Sequence, residues 1–284
     1  MNARDHTAMP EGMTEIEFTE ISPRILNPIA LTIAGSDPSG GAGIQADLKT
    51  FHQFGVYGTT VIAVVTVQNT MRMSAVKPLP ASIVLAQLNA VLEDLPPLAA
   101  KVGALGSREN VEAIAERAAK FTFPLVVDPV IMSKHGKPLL EEDASVALIQ
   151  KLLPQAFLVT PNIPEAIFLS GMDITNADSL EKAARAIARM GPQAVLIKGG
   201  HMEKNAVDTL LYKNVIHSFT APKIDTENTH GTGCTHSAAI TALLAKGVKL
   251  VEAVEQAKDF ISRAIQTGPR LGRGIGPVNH FTPV

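Results

Sequence analysis

The sequence has few cysteines, no surplus of positive charge and no apolar run long enough to cross a membrane. Its single cysteine excludes an intrachain disulfide and any metal site built from several cysteines. The 25 Lys and Arg residues are balanced by 27 Asp and Glu residues, so the net charge is −2. That balance argues against binding to nucleic acid or to an anionic membrane surface. We therefore expect a reduced, soluble, cytoplasmic protein.

The composition of the 284-residue chain, 46% of it hydrophobic, predicts a globular fold. Residues 1–28 are acidic and resemble neither a signal peptide nor a transit peptide, so we expect a partly disordered arm. An alternative for this arm is a strand exchanged between the subunits of a dimer and built on Ile16, Phe18 and Ile21. After residue 28 there is no internal repeat and no low-complexity linker, which favours one domain over residues 29–284.

From Ile29 onward, short apolar segments alternate with amphipathic ones. The apolar segments, rich in β-branched residues, predict strands at 29–34, 60–67, 100–104, 125–130, 156–160 and 194–198. The amphipathic segments predict helices at 43–54, 81–92, 108–120, 143–153, 179–190, 234–246 and 250–266. Residues 208–212 and 215–219 predict a hairpin at the edge of the sheet. Because strands that are apolar on both faces belong to parallel sheets covered by helices, we predict a three-layer α/β/α sandwich.

The segment at residues 229–235 predicts an anion site. Gly231 and Gly233 precede an apolar helical run, so their N–H groups and the positive end of the helix dipole could bind a phosphate. Cys234 lies at the start of that helix, where we expect the dipole to lower the pKa of the thiol below about 8.5 and make it a proton acceptor. The alternative is an ordinary loop before a helix, with Cys234 as a small buried residue.

A second glycine cluster follows the first predicted strand, with glycines at positions 35, 40, 41 and 43. Such a loop at the carboxyl end of a strand lets a small flat ligand approach the backbone. The cluster does not match GxGxxG, and no acid follows at the distance needed to bind a ribose, so a dinucleotide site is not favoured. The alternative is a tight turn before a helix.

Two acidic residues follow later strands. Asp128 ends the strand that Pro129 stops, and Glu165 begins a helix just after the next strand. Paired carboxylates at strand ends suit Mg²⁺, which prefers oxygen ligands and bridges nucleotide phosphates. Either acid alone could instead be a helix cap or a turn former.

Lys198 ends another predicted strand, at the start of a Lys-Gly-Gly-His segment, and offers a cation to phosphate oxygens. Gln68 ends the second strand with an amide that can donate to and accept from the edge of an amino-heterocycle. The eight histidines show no metal-ligand spacing, and we interpret His230 as a local hydrogen-bonding residue. All these features fall at the carboxyl ends of parallel strands, where open α/β sheets bind ligands.

Taken together, six segments closely resemble the hydroxymethylpyrimidine/phosphomethylpyrimidine kinases of thiamine biosynthesis, members of the ribokinase-like family. The segments occur in order at 34–47, 67–70, 128–130, 160–162, 198–201 and 230–235, and the resemblance runs from about residue 29 to Phe281. It implies a ribokinase-like fold and the use of ATP and Mg²⁺. It also implies two phosphorylations, first of 4-amino-5-hydroxymethyl-2-methylpyrimidine and then of its monophosphate. We further expect a homodimer.

The resemblance also implies roles for individual residues. The catalytic anion hole would be formed by Gly231, Thr232, Gly233 and Cys234, with Cys234 as the base. The substrate pocket would be formed by Gln68, Gly35, Ala42, Asp47 and Val130. The nucleotide would be bound by Lys198, Asn162 and Thr229, and magnesium, directly or through water, by Asp128 and Glu165. Ala104 stands where we expect Met in many members, which leaves the tightness of the pyrimidine pocket open.

Two other functions compete with this interpretation. A pyridoxal kinase shares the glycine loops and in some cases the cysteine, and a comparison of kcat/KM for the two alcohols would decide between them. The chain could also be a non-catalytic pyrimidine-binding module that kept the fold. The two acids, Lys198 and Cys234 argue against that, because a sensor needs none of them.

Overall fold

The protein, in a computed structural model, is described over residues 27–199 and 205–284. The predicted arm therefore falls almost wholly outside the described residues, as do Gly200 and His201. The described strands are β1 (Ile29–Ser36), β2 (Tyr57–Gln68), β3 (Met73–Pro78), β4 (Ala99–Val102), β5 (Leu125–Val127), β6 (Leu158–Val159), β7 (Ala194–Ile197), β8 (Asn205–Tyr212) and β9 (Val215–Pro222). The α-helices are α1 (Gly43–Gln53), α2 (Ala81–Asp94), α3 (Arg108–Ala118), α4 (Glu142–Ala147), α5 (Ile163–Ser170), α6 (Ala177–Ala188), α7 (Thr232–Ala245) and α8 (Leu250–Gln266).

The strands form one sheet in the order β3-β2-β1-β4-β5-β6-β7-β8-β9. The neighbours from β2 to β7 pair in parallel, whereas β3 at one edge and β8 and β9 at the other are antiparallel. The predicted mainly parallel sheet and edge hairpin are therefore confirmed. Strand β3 was not predicted, because an edge strand carrying Lys77 and Pro78 has no apolar pattern on two faces.

Helices cover both faces of the sheet, which confirms the predicted three-layer sandwich. Helices α2 to α6 bury residues such as Leu88 and Ile114 against one face. Helices α1, α7 and α8 bury Phe51, Ile240 and Phe260 against the other. Because both faces of the parallel strands are covered, β4, β5 and β7 are buried along their whole length.

Two predicted elements differ from the structure. The helix predicted at 143–153 is α4, followed by a π-helical turn (Leu148–Leu152) and a 3₁₀ turn (Leu153–Gln155). Pro154 lies in that last turn, where its missing N–H and its ring prevent regular α-helix. The strand predicted at 125–130 ends at Val127, so Asp128 lies just beyond the ladder.

The topology places a crevice at the carboxyl ends of the central strands. Strand β1 lies between β2 and β4, so the chain leaves β1 in one direction and returns on its other side. Ligands of open α/β sheets bind at such a reversal of strand order.

No helix in the described part of the chain combines the length and apolarity needed to cross a bilayer.

Candidate active site

The loop before α7 presents backbone N–H groups at the start of a buried helix. Gly231 is the N-cap of α7 with φ of 79°, and a Cβ added there would lie 1.7 Å from the carbonyl oxygen of Gly41. Only glycine meets both conditions without displacing the neighbouring loop. The hydroxyl of Thr232 donates to the carbonyl oxygen of Thr229 at 2.8 Å, which closes the turn. The first amides of α7 are thus held at its positive end, as an anion site requires.

A largely buried ion pair borders this loop. Lys198 Nζ lies 2.7 Å from Asp128 Oδ1. A Cβ added at Gly233 would lie 3.3 Å from Lys198 Nζ and 3.6 Å from Asp128 Oδ2, so the pair lies directly beside the helix start. The sheet brings these residues together because Asp128 follows β5 and Lys198 follows β7.

Asp128 is held in its ionised form. It accepts hydrogen bonds from the hydroxyls of Thr160 and Ser237, both at 3.3 Å. Burial favours the neutral acid, but the positive charges of Lys198 and Lys101 outweigh it and lower the pKa of Asp128. The same negative charge helps to raise the pKa of Lys198 against the effect of burial, so the ammonium stays charged. The site therefore holds a fixed anion and a fixed cation.

Asn162 and Glu165 form a capping box at the start of α5. The side-chain oxygen of Asn162 accepts from the Glu165 N–H at 2.9 Å, and Glu165 Oε2 accepts from the Asn162 N–H at 2.8 Å. Burial raises the pKa of Glu165 to about 7, with Lys198 opposing and Asp128 adding to the shift. The helix cap that the sequence offered as an alternative to metal binding is thus present. It uses the side-chain oxygen of Asn162 and one carboxylate oxygen of Glu165.

The oxygen donors here fit Mg²⁺ only as a phosphate-bridging ion. Among the residues that the structure describes, no group of three His, Cys, Asp or Glu side chains could hold a metal. The charge of Asp128 helps to raise the pKa of Glu165, so the two carboxylates are close enough to interact. Two carboxylates suffice for Mg²⁺ when phosphate oxygens and water complete the coordination.

The expected low pKa of the Cys234 thiol is wrong. Burial raises this pKa to about 11, and the negative charges of Asp47 and Asp128 act in the same direction. The positive charge of Lys101 and a hydrogen bond from the Gly43 N–H oppose the shift but do not overcome it. The dipole argument failed because it left out the buried carboxylates that the fold brings beside the helix start. At neutral pH Cys234 is therefore a protonated thiol.

Asp47, expected to line the substrate pocket, is fully buried beneath it. Its carboxylate lies 2.6 Å from Lys101 Nζ and accepts from the Thr32 hydroxyl at 2.6 Å, with both charged side chains 0% exposed. Sequence reasoning missed Lys101, although a lysine inside the apolar strand Ala99–Val102 was the available signal. Because Asp47, Cys234 and Asp128 raise the pKa of Lys101 despite its burial, it supplies a permanent positive charge under the site.

Asp37 joins the first glycine loop to the anion loop. Its carboxylate accepts from the N–H groups of Ser39, Gly41 and Ala42 and lies 2.8 Å from His230 Nε2. Burial opposes ionisation of Asp37, but hydrogen bonds from His230 and Ser39 lower its pKa to about 2. His230 is the local hydrogen-bonding residue that the sequence suggested, whereas the role of Asp37 was missed.

The remaining expected substrate residues lie at the ends of strands or in the loops that follow them. Gln68 is the last residue of β2, and its buried Oε1 atom has no hydrogen-bond partner among the residues that the structure describes. Such an acceptor is available to an amine of a ligand. Gly35 is next to last in β1, Ala42 is the N-cap of α1, and Val130 borders a small cavity that Asp128 also lines.

The segment 131–139 reaches across the crevice from β5 toward β2. It folds back on itself through a bridge between Met132 and Pro138. At its tip, His135 Nε2 lies 3.2 Å from the carbonyl oxygen of Asn69, and its ring centroid lies 6.5 Å from that of His230. The segment therefore spans the two sides of the candidate site.

Comparison with known sequences identifies relatives over most of the chain. A profile of the family described as phosphomethylpyrimidine kinase matches residues 37–279. A hydroxymethylpyrimidine/phosphomethylpyrimidine kinase of Rhizobium meliloti is 48% identical over 260 residues, which is 90% of this chain and 98% of that protein. The enzyme of the same name from Bacillus subtilis is 44% identical and covers 89% of this chain and 94% of its own length.

Comparison with solved structures finds the same fold in two groups of kinases. The ADP complex of a Bacillus subtilis pyridoxal kinase has a TM-score of 0.82 at 39% identity, covering 89% of this chain and 97% of that one. A phosphomethylpyrimidine kinase from Clostridium difficile has a TM-score of 0.75 at 45% identity, covering 84% and 100%. The pyridoxal kinase of Staphylococcus aureus, in complex with AMP-PCP and pyridoxal, has a TM-score of 0.81 at 36% identity, covering 89% and 94%. The expected ribokinase-like fold is confirmed by these neighbours.

Proposed function

Because the chain belongs to the phosphomethylpyrimidine kinase family, we propose that it transfers the γ-phosphoryl group of ATP to 4-amino-5-hydroxymethyl-2-methylpyrimidine and then to the monophosphate. The observation that carries this proposal is the Asp128–Lys198 ion pair beside Gly233, at the amide-rich start of α7. That arrangement suits a transferring phosphoryl group, whose charge spreads over three oxygens.

In the first reaction the hydroxyl oxygen of the pyrimidine bonds to the γ-phosphorus of ATP, and the bond from that phosphorus to the β,γ-bridging oxygen breaks to release ADP. The amides from Gly231 to Cys234 and the ammonium of Lys198 would stabilise the charge on the transferring group. Mg²⁺ held by Asp128 and Glu165, directly or through water, would neutralise further phosphate charge. The catalytic work is then mostly positioning and charge stabilisation.

Cys234 would accept the hydroxyl proton in its thiolate form. Because burial raises the pKa of the thiol to about 11, few molecules hold that form at neutral pH. The second acceptor is a phosphate that is already ionised, so the second reaction needs no base. Cys234 therefore contributes mainly to the first phosphorylation.

In the acceptor pocket, Gln68 would recognise the pyrimidine: its buried Oε1, which has no partner within the described part of the chain, can accept from the exocyclic amine. Gly35, Ala42 and Val130 would line the ring, while Asp47 would shape the pocket from below through Lys101. On the other side, Asn162 and Thr229 would contact the nucleotide through their remaining polar atoms.

Pyridoxal kinase activity is the second candidate, favoured by the similarity to the pyridoxal kinases of Bacillus subtilis and Staphylococcus aureus. A coupled assay of ADP release tests both functions with the pyrimidine alcohol, its monophosphate and pyridoxal as acceptors. We expect the highest kcat/KM for the two pyrimidines. A higher value for pyridoxal would reverse the assignment, and tight pyrimidine binding without turnover would indicate a non-catalytic module.

We also propose that residues 29–284 form one catalytic domain that works as a cytoplasmic homodimer. The β2–β3 edge supports the dimer, because Val65 and Val67 on β2 and Met71 in the following turn are 42%, 57% and 59% exposed. A second copy could cover this apolar surface. Sedimentation equilibrium should give twice the chain mass, and Val67→Glu should shift the equilibrium toward monomer. A monomer at all concentrations would contradict the dimer.

A further inference from the structure

A buried charged cluster lies behind the nucleotide side of the site. Asp208 on β8 is 3% exposed, and its Oδ2 atom lies 3.0 Å from Nζ of Lys258 on α8, which is 6% exposed. His236 on α7 is also buried, with Nδ1 at 3.8 Å from the same carboxylate oxygen. Burial lowers the pKa of His236 to about 4, so the imidazole is neutral and Lys258 is the counter-ion of Asp208.

The other carboxylate oxygen of Asp208 accepts a backbone hydrogen bond at the point where the pairing of β7 with β8 has ended. Strand β7 pairs with β8 as far as Ile197 opposite Thr209, and the chain then turns so that Lys198 reaches Asp128. Beyond the ladder, Asp208 Oδ1 accepts from the Gly199 N–H at 2.9 Å. Gly199 is packed so closely on β8 that an added Cβ would lie 1.7 Å from the carbonyl oxygen of Val207.

The residue before Gly199 is held equally firmly on its other side. The Lys198 N–H donates to the carbonyl oxygen of Pro161 at 2.8 Å, and Lys198 forms a parallel bridge with Asn162. The backbone of Lys198 is thus fixed between the end of β6 and the Asp208 carboxylate. This anchoring fixes the point from which the Lys198 side chain starts, and the ion pair with Asp128 at 2.7 Å then holds its ammonium.

Stability alone is a poor reason for such a cluster. Burying two charges costs desolvation energy, and apolar residues of similar volume often serve the fold as well or better. We propose that Asp208 is a positioning residue for the nucleotide phosphates: it fixes the Gly199 peptide and so aims Lys198, with Lys258 as its counter-ion. This inference rests on the proposed function, because it assumes that Lys198 binds phosphate.

The direction in which Asp208→Asn changes the affinity for ATP distinguishes a positioning role from a purely electrostatic one. Asp208→Asn removes a negative charge near Lys198, so electrostatics alone predict tighter binding of ATP. Positioning predicts weaker binding instead, because the uncharged amide orders the Gly199 N–H less strongly. We expect the Kd for Mg·ATP, measured by titration calorimetry, to rise about tenfold. The Kd for the pyrimidine alcohol should stay within about twofold, because Asp208 lies on the nucleotide side.

Three further variants complete the experiment. Asp259→Asn changes an exposed carboxylate on the same helix as Lys258 and should bind ATP like the wild type. The double variant Asp208→Leu with Lys258→Met leaves the net charge unchanged and should show the same loss of affinity, which keeps the test valid if Asp208→Asn does not fold. In a Lys198→Met background, adding Asp208→Asn should change the Kd by less than about twofold.

Normal or tighter ATP binding in folded Asp208→Asn would overturn the inference, as would a normal Kd in the double variant. If adding Asp208→Asn to Lys198→Met still raised the Kd for Mg·ATP about tenfold, the inference would also be overturned, because the effect would not pass through Lys198. Failure of the wild type to bind ATP would instead reject the proposed function, and thermal unfolding of each variant distinguishes lost binding from lost folding.

Discussion

The raised pKa of the Cys234 thiol can be measured directly, because this cysteine is the only one in the sequence. At pH 8 a thiol with a pKa of 9.0 is about one-tenth ionised, whereas one with a pKa of about 11 is ionised in about one molecule per thousand. The hundredfold loss of thiolate is partly offset, since a more basic thiolate is about six to ten times more nucleophilic. We therefore expect iodoacetamide to label Cys234 about tenfold more slowly than a free cysteine.

The pH profile of labelling distinguishes ionisation of the thiol from its accessibility to the reagent. Accessibility scales all rates of one folded protein by the same factor, so it does not change how the rate depends on pH. Labelling of the folded protein, quantified by intact mass, should rise about tenfold for each pH unit from 7 to 10. The same chain unfolded in urea should level off above pH 9. Asp128→Asn removes a negative charge that raises the pKa, so it should speed labelling at every pH in this range. A plateau below pH 9 in the folded protein, or slower labelling of Asp128→Asn, would refute this account of the thiol.

Three further outcomes are expected. Cys234→Ala should lower the rate of the first phosphorylation about a hundredfold and that of the second by much less; equal losses in separate single-step assays would remove Cys234 from proton transfer. The Tm of Glu165→Gln relative to that of the wild type should rise by about 5 °C between pH 5 and pH 8. The pKa of Glu165 is raised to about 7, so the wild-type protein loses stability as this carboxyl ionises, whereas the variant does not. A pH-independent difference in Tm between Glu165→Gln and wild type would contradict that shift. Gly231→Ala should abolish turnover because its Cβ would overlap the Gly41 carbonyl. The control Gly136→Ala should remain active, because Gly136 has a similar φ and a Cβ added there would meet no described atom within 4 Å. Comparable kcat values for the two variants would show that the Gly41 contact is unimportant.

The fold was predictable because its signals are local. Apolar β-branched segments separated by amphipathic ones identify buried parallel strands with covering helices, and this pattern persists from β1 to β7. The edge strand β3 and the π turn after α4 escaped prediction, since an edge strand needs no apolar pattern and the residues of the π turn have the same apolar spacing as an α-helix. The carboxyl-end position of the site followed from the topology alone.

The partners within the site could not be predicted, because they depend on contacts between distant segments. Asp128 and Lys198 were recognised separately, but their 2.7 Å ion pair joins residues 70 positions apart. The thiol pKa was wrong for the same reason: helix position can be read locally, whereas the burial of Cys234 and its neighbouring carboxylates cannot. Lys101 and Asp208, each charged in a buried strand, are the residues that a stricter reading of strand polarity would have singled out.

Phosphorus NMR of one reaction mixture tests the central claim most directly. Wild-type protein is mixed with the pyrimidine alcohol, ATP and Mg²⁺, and the phosphorus signals are followed with time. We predict that a monoester signal appears first and then gives way to a diphosphate ester, with one ADP formed for each phosphoryl group transferred. ADP that appears only with free phosphate, or no consumption of ATP in the presence of the alcohol, would contradict the claim that this site transfers phosphoryl groups to the pyrimidine.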